Sequence, residues 1–191
     1  MRSVEEINRF WLEETGPKGW YEQSDALDTK ITDMFRDTWE EAREGACGLW
    51  LTDRHGAMAY LILTDQFPRN MFRGQGKAFA TDGNARAAAK VAIDRKWDLQ
   101  WEEPARQFFY LPLMHSESLV DQDRCVRLVR DRMPETGNST LLHARAHRRV
   151  IRAHGRFPFR NEALGRDDTA AEKAFMAEGA YGAIVRELQA E

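Results

Sequence analysis

The sequence contains little of what secreted and membrane proteins require. It has two cysteines among 191 residues, Cys47 and Cys125, too few and too far apart for a disulfide framework or a zinc knuckle. Its most apolar run, residues 57–63, is far shorter than the ~20 residues that cross a bilayer. Residues 1–8 lack the apolar stretch of a secretory signal. We therefore expect a cytoplasmic protein that contacts no membrane and carries no metal or organic cofactor.

Strand-like alternation is also missing, and residues 48–51 form the only candidate strand. Apolar residues instead recur at intervals of three and four, as in residues 27–42, which is typical of helices. Capping boxes at residues 3–6 and 169–172 mark helix starts. The pattern predicts one all-α domain over residues 1–191, with about eight helices. Because the links are short, we expect neighbouring helices to be mostly antiparallel.

Acidic residues are scarce in one arginine-rich segment. Residues 124–166 hold 11 arginines against Asp131, Glu135 and Glu162, a net charge of +8 in a chain whose net charge is −3. Such a segment is typical either of a nucleic-acid-binding patch or of solvated helix faces with a few arginines lining a site. Single-strand binders interleave their bases with stacking aromatics, and this segment does not. We therefore expect no nucleic-acid partner.

A first candidate for chemistry is the stretch Asp-Gln-Phe-Pro-Arg-Asn at residues 65–70. Proline has no amide donor and disfavours helix at the residue before it, so we predict that a helix ends at Gln66 in a stiff corner. Arg69 and Arg73 follow that corner, and an arginine fork binds carboxylate or phosphate through two parallel hydrogen bonds. The alternative is that Asp65 pairs with one of these arginines and only holds the corner in place.

A second candidate follows Pro112, which interrupts a helical pattern directly before His115, Ser116 and Glu117. Histidine is the natural acid–base group near neutral pH, and a carboxylate two residues away can raise its pKa. The alternative is that Ser116 or Ser118 caps the next helix while His115 and Glu117 are solvated.

A third candidate is the histidine stripe of His143, His147 and His154, whose spacings of four and seven place the rings on one helical face. Two histidines four residues apart can ligate zinc, but Ala144 stands where zinc peptidases have glutamate. We favour an amphipathic helix with one functional histidine over a metal site.

Three of these motifs together resemble one known family. Residues 63–74, 109–117 and 147–166 are similar to the signature of the bacterial domain-of-unknown-function family numbered 924. The resemblance implies an all-α fold of the tetratricopeptide-like superhelical type, and it implies no established activity. The chain departs from the pattern at Phe159, where the family usually has histidine.

We predict that the polar motif residues converge into one pocket between helices. The set comprises three acid–base candidates and eight ligand-binding candidates, namely His115, Glu117 and His147, and then Asp65, Gln66, Arg69, Asn70, Tyr110, Arg156, Arg160 and Asn161. Two functions fit the pattern. One is binding, with or without turnover, of a small anionic metabolite held by the arginines. The other is a tetratricopeptide-like scaffold whose groove, with exposed Trp97 and Trp101, binds a peptide or partner helix.

Overall fold

The computed structural model describes residues 1–191 and contains helices and turns but no strands. Adjoining α- and π-helical turns counted as one helix give α1 (residues 4–15), α2 (Asp25–Arg43), α3 (residues 54–71), α4 (Asp82–Asp94), α5 (Leu111–Met114), α6 (Leu119–Arg132), α7 (Asn138–His154), α8 (Ala170–Ala177) and α9 (Ala180–Gln189). The backbone breaks at Gly16, and the single helical turn Gly16–Gly19 follows α1. The prediction of an all-α chain with about eight helices is confirmed. The candidate strand belongs to the 3-10 helix Gly48–Thr52. None of the helices combines the length and apolarity that a bilayer crossing demands.

The chain divides into two compact units, Met1–Pro112 and Leu113–Glu191. The division falls within the short helix α5, directly after Pro112. The single-domain organisation and the tetratricopeptide-like superhelix inferred from the sequence both stay predictions.

The core of the first unit is aromatic. The rings of Phe35 and Phe67 stack with centroids 4.7 Å apart, and Phe10 lies 5.0 Å from Phe35. Trp11 meets Phe67 edge-on at 5.4 Å. These side chains come from α1, α2 and α3 and are almost completely buried. Burying each one contributes roughly 1.5–3 kcal/mol, so this cluster is what holds the three helices together.

The helix α3 does not end at Gln66, so that prediction is wrong. The turn Ile62–Gln66 is π-helical, and the chain continues as the α-helical turn Phe67–Met71. Pro68 cannot donate to the carbonyl of Thr64 one turn earlier, and the hydroxyl of Thr81 donates to that carbonyl instead. The wider π turn absorbs the change of register. The expected corner is therefore a bulge within one continuous helix.

The second unit is built around α7. Its buried core and the side chains packed against it come from α7, α8, α9 and the loop after α7, namely Val150, Ile151, Phe157, Phe175, Tyr181 and Ile184. Helix α6 also packs against α7, to which the short link of residues 133–137 joins it. Gly155 ends α7 with φ 71°, a left-handed conformation that favours glycine.

The packing of the first unit can be tested at Gly56, where two backbone segments approach each other closely. A Cβ atom at Gly56, in the first turn of α3, would lie 2.1 Å from the carbonyl oxygen of Trp50. We expect Gly56→Ala to lower the free energy of unfolding by about 1–3 kcal/mol, because the two segments must move apart. Gly83→Ala, in the first turn of α4, meets no atom within 4 Å and should leave it unchanged or raise it by up to about 1 kcal/mol. Urea denaturation measures both, and equal values would contradict the close approach.

Candidate functional site

The predicted site residues are divided between the two units. The first unit contains Asp65, Gln66, Arg69, Asn70 and Tyr110, and the second contains His115, Glu117, His147, Arg156, Arg160 and Asn161. Each set makes hydrogen bonds within its own unit. Their convergence into one pocket stays a prediction.

Arg69 is bound by two carboxylates of the first unit. Its Nη1 and Nη2 donate to Oδ1 and Oδ2 of Asp82 at 3.0 and 3.1 Å, and Nη2 lies 3.5 Å from Oδ1 of Asp65. Asp65 is 1% exposed and accepts a further bond from the side chain of Gln66. Burial alone would lower the pKa of Arg69, but the two carboxylates raise it above its ordinary value. These contacts match the alternative in which Asp65 pairs with an arginine.

Asn70 and Tyr110 belong to two other hydrogen-bonded groups. Nδ2 of Asn70 donates to Asp28 at 2.8 Å, and Arg73 donates to both oxygens of the same carboxylate. The hydroxyl of Tyr110 donates to Asp98 at 2.6 Å, where both side chains are fully buried. Asp28 and Asp98 are not among the candidate residues, because nothing local to either one in the sequence marks it as the partner of a distant motif.

Glu117 is bound by a side chain that the candidate set omits. Arg166 donates to its two carboxylate oxygens at 2.8 and 3.0 Å, and the backbone N–H of Phe157 donates to Oε1 at 2.8 Å. Burial raises the pKa of Glu117, but these donors outweigh it and hold the pKa below its ordinary value. Glu117 is therefore an ionised group that ties the loop after α7 to the start of α6.

Arg156 and Asn161 lie in that same loop and hold it in shape. Arg156 donates to both oxygens of Glu172 at 2.6 and 2.8 Å, and Glu172 also closes the capping box of α8 with Thr169. The bond from Arg156 is the largest of the interactions that lower the pKa of Glu172. Oδ1 of Asn161 accepts from Nε of Arg166 at 2.9 Å. The contacts of Arg156 and Asn161 thus stabilise the loop.

His147 lies at the centre of the polar groups of the second unit. Its Nδ1 is 2.8 Å from the carbonyl oxygen of His143, whereas its Nε2 bonds to no group of the chain. The ring packs against His115, Phe157 and Tyr181, with centroids 6.2, 5.4 and 4.7 Å away. Burial, reinforced by His115, lowers the pKa of His147 to about 3. His147 is therefore a neutral imidazole.

Arg160 and Tyr181 complete this group, which we call the histidine–arginine cluster: His115, His143, His147, Arg160 and Tyr181. Arg160 is 7% exposed, donates to the carbonyl oxygen of His115 at 3.1 Å, and lies 4.5 Å above the ring of Phe157. The hydroxyl of Tyr181 lies 2.6 Å from Nδ1 of His143. Nothing in the sequence pattern points to Tyr181, because its place beside α7 depends on how α9 packs.

The histidine stripe divides in the structure. His143 and His147 belong to the cluster, whereas the ring of His154 packs 4.7 Å from that of Phe175. No group of three or more His, Cys, Asp or Glu side chains has the arrangement needed to hold a metal ion.

The chain is similar to known proteins over nearly its whole length. A family model described as a bacterial protein of unknown function, DUF924, matches residues 7–180, a range that includes every candidate residue. A solved structure, that of a protein of unknown function, ATU0120 from Agrobacterium tumefaciens, is 38% identical in sequence and has a TM-score of 0.85. The likeness covers 92% of this chain and 97% of that one. Comparison with curated proteins found no match.

Substitutions of Arg69, in α3, and of Arg73, just after α3, test the structural role of Arg69. Arg69→Ala leaves Asp65 buried beside no arginine, and we expect a loss of about 3–5 kcal/mol in the free energy of unfolding. Arg73→Ala removes a similar two-bond pair with Asp28, but its side chain is 44% exposed, so we expect about 0–1 kcal/mol. Chemical denaturation measures both. Equal, small losses would contradict the structural role.

The low pKa of His147 makes stability depend on pH. In the unfolded chain a histidine has a pKa of about 6.5, so between that value and about 3 only the unfolded state binds the proton. Stability should therefore fall as the pH drops below about 6.5, by up to about 1.4 kcal/mol for each pH unit. His147→Gln should flatten this dependence, measured as the urea midpoint across that range. His154→Gln, outside the cluster, should retain it; the same slope in both variants would refute the assignment.

Proposed function

The chain belongs to the bacterial DUF924 family, and within that fold we propose that its second unit binds a small anionic metabolite at the histidine–arginine cluster. The observation that carries the proposal is His147, a neutral, half-buried ring whose Nδ1 is bound by the chain and whose Nε2 is not. Nε2 is not one of the buried side-chain atoms that lack a hydrogen bond, so it is open to solvent and a ligand can reach it. A ligand bound at the cluster would donate to this nitrogen in place of water.

Arg160 supplies the positive charge for the anionic group. A guanidinium binds carboxylate or phosphate through paired N–H donors, and burial strengthens the attraction because little water screens it. Arg69 and Arg156 each donate two bonds to a carboxylate of this chain, so we assign them a structural role. The proposed anion site therefore contains fewer arginines than the set of ligand-binding residues inferred from the sequence.

The loop between α7 and α8 would keep this site preformed. Arg166 with Glu117, and Arg156 with Glu172, fix the loop at two points on either side of Arg160. Side chains held by a second set of contacts lose little entropy when a ligand binds, which favours affinity. These two pairs support the proposal without touching the ligand.

The proposal is binding without turnover. A general base works best with a pKa near the working pH, and a pKa of about 3 leaves His147 a weak base. Glu117, another of the three acid–base candidates, is ionised and bound by Arg166. His147 would therefore act as a hydrogen-bond acceptor for the ligand.

A peptide-binding scaffold is the second candidate function, and one cleft of the first unit favours it. The cleft, of about 350 Å³, is largely apolar and is lined by Leu51, Tyr60, Gly83, Asn84, Ala87, Ala88, Val91 and Trp97. A recess of this kind would accept an apolar side chain of a peptide or partner helix. The two functions use different units, so Val91→Glu would block the cleft and leave the histidine–arginine cluster unchanged.

A thermal-shift screen with carboxylates and phosphate esters tests the proposed function. A ligand at 100 times its dissociation constant adds about 2.7 kcal/mol, which should raise the melting temperature by roughly 5–10 °C in a chain of this length. Arg160→Gln should abolish the shift. The matched control is Arg148→Gln, which removes the same charge from a residue that follows His147 in the sequence and pairs with Asp123, and it should keep the shift. No change in melting temperature with any compound, or equal shifts in both variants, would count against the anion site.

A further inference from the structure

We infer that the histidine–arginine cluster selects anions that carry a hydroxyl group, with small 2-hydroxy carboxylates bound in preference to the corresponding 2-oxo carboxylates. The inference rests on the proposed function and narrows its ligand class. It depends on what each nitrogen of His147 is able to offer a ligand.

The tautomer of His147 is set by the backbone of its own helix. The carbonyl of His143, one turn earlier in α7, lies 2.8 Å from Nδ1, a normal hydrogen-bond length. A carbonyl oxygen only accepts, so the proton of the neutral ring is on Nδ1. Nε2 then carries a lone pair and no proton, and it faces a ligand as an acceptor.

The surroundings of His147 keep Nε2 in that state. A second proton would turn Nε2 into a donor, but the charged ring would lie among His115, His143 and Arg160 in a half-buried position. Burial and these neighbours all oppose the charge, while only the bond to the His143 carbonyl favours it. At neutral pH the ring therefore accepts and does not donate at this nitrogen.

The two ligand classes differ at the atom that meets Nε2. A hydroxyl donates its proton to Nε2, while a neighbouring carboxylate lies toward the guanidinium of Arg160. An oxo group places one acceptor against another, and both lose hydrogen bonds that water had supplied. Sites that bond a substrate hydroxyl reject analogues without it much more strongly than they distinguish apolar groups.

Arg160 and His147 share Phe157 as a neighbour. The guanidinium of Arg160 lies 4.5 Å from the centroid of Phe157, whose ring centroid is 5.4 Å from that of His147. The anion-binding group and the hydroxyl-accepting group therefore both pack against one aromatic ring.

Titration of the full chain with matched acids tests the inference. The pairs are lactate with pyruvate, malate with oxaloacetate, and 2-hydroxyglutarate with 2-oxoglutarate, followed by calorimetry. We expect at least one hydroxy acid to bind about tenfold or more tightly than its oxo partner. His147→Gln should bring the two affinities together, because an amide offers both a donor and an acceptor. His154→Gln, the matched control, should keep the preference.

The outcomes separate the inference from the function on which it rests. Equal binding of both acids of a pair by the wild-type chain overturns the inference and leaves the anion site standing. A preference that persists in His147→Gln also overturns it. Binding of no acid overturns it too, and the wider screen with Arg160→Gln then decides the proposed function. If His147→Gln does not fold, the ¹⁵N shift of Nε2 in the wild-type chain replaces it: a change with the hydroxy acid alone supports the inference, and no change overturns it.

Discussion

The ion pair between Arg166 and Glu117 is the contact on which the order of the second unit depends. It joins the residues before α6 to the loop after α7, and the same carboxylate accepts the backbone N–H of Phe157. Two parallel bonds fix both distance and angle, which one bond cannot do. Phe157 lies under the guanidinium of Arg160 and beside His147, so the pair sets the geometry of the whole histidine–arginine cluster.

The helices follow from local signals, and the sequence predicts them well for that reason. Both predicted capping boxes form with their reciprocal bonds, because this motif involves only neighbouring residues. The π turn Ile62–Gln66 was not predictable, since it depends on how the packed helix accommodates Pro68. The same limit applies to ion pairs: Arg69 and Asp82 are 13 residues apart, and Glu117 and Arg166 are 49 apart.

The polar motif residues show why residue type alone does not assign a role. Arginine binds a ligand carboxylate and a carboxylate of its own chain with the same geometry. The net charge of residues 124–166 does not indicate a charged surface for a related reason. Acidic residues outside this segment pair with arginines inside it. Such pairs join Asp123 to Arg148, Glu187 to Arg149, Glu172 to Arg156 and Glu117 to Arg166. A count along the chain thus overstates the positive charge that a partner would meet.

The carboxylate of Glu172 caps the start of α8 and also binds an arginine of the loop before that helix. It accepts the Thr169 N–H that closes the capping box of α8, and it also binds Arg156, which lies 16 residues earlier in the loop. Neither element keeps its contacts when the other opens. The loop and α8 therefore form a single cooperative unit, and amide protons in both should exchange with solvent through one shared opening event. Local fluctuations of the carboxyl-terminal helices are thereby transmitted to the loop that carries Arg160.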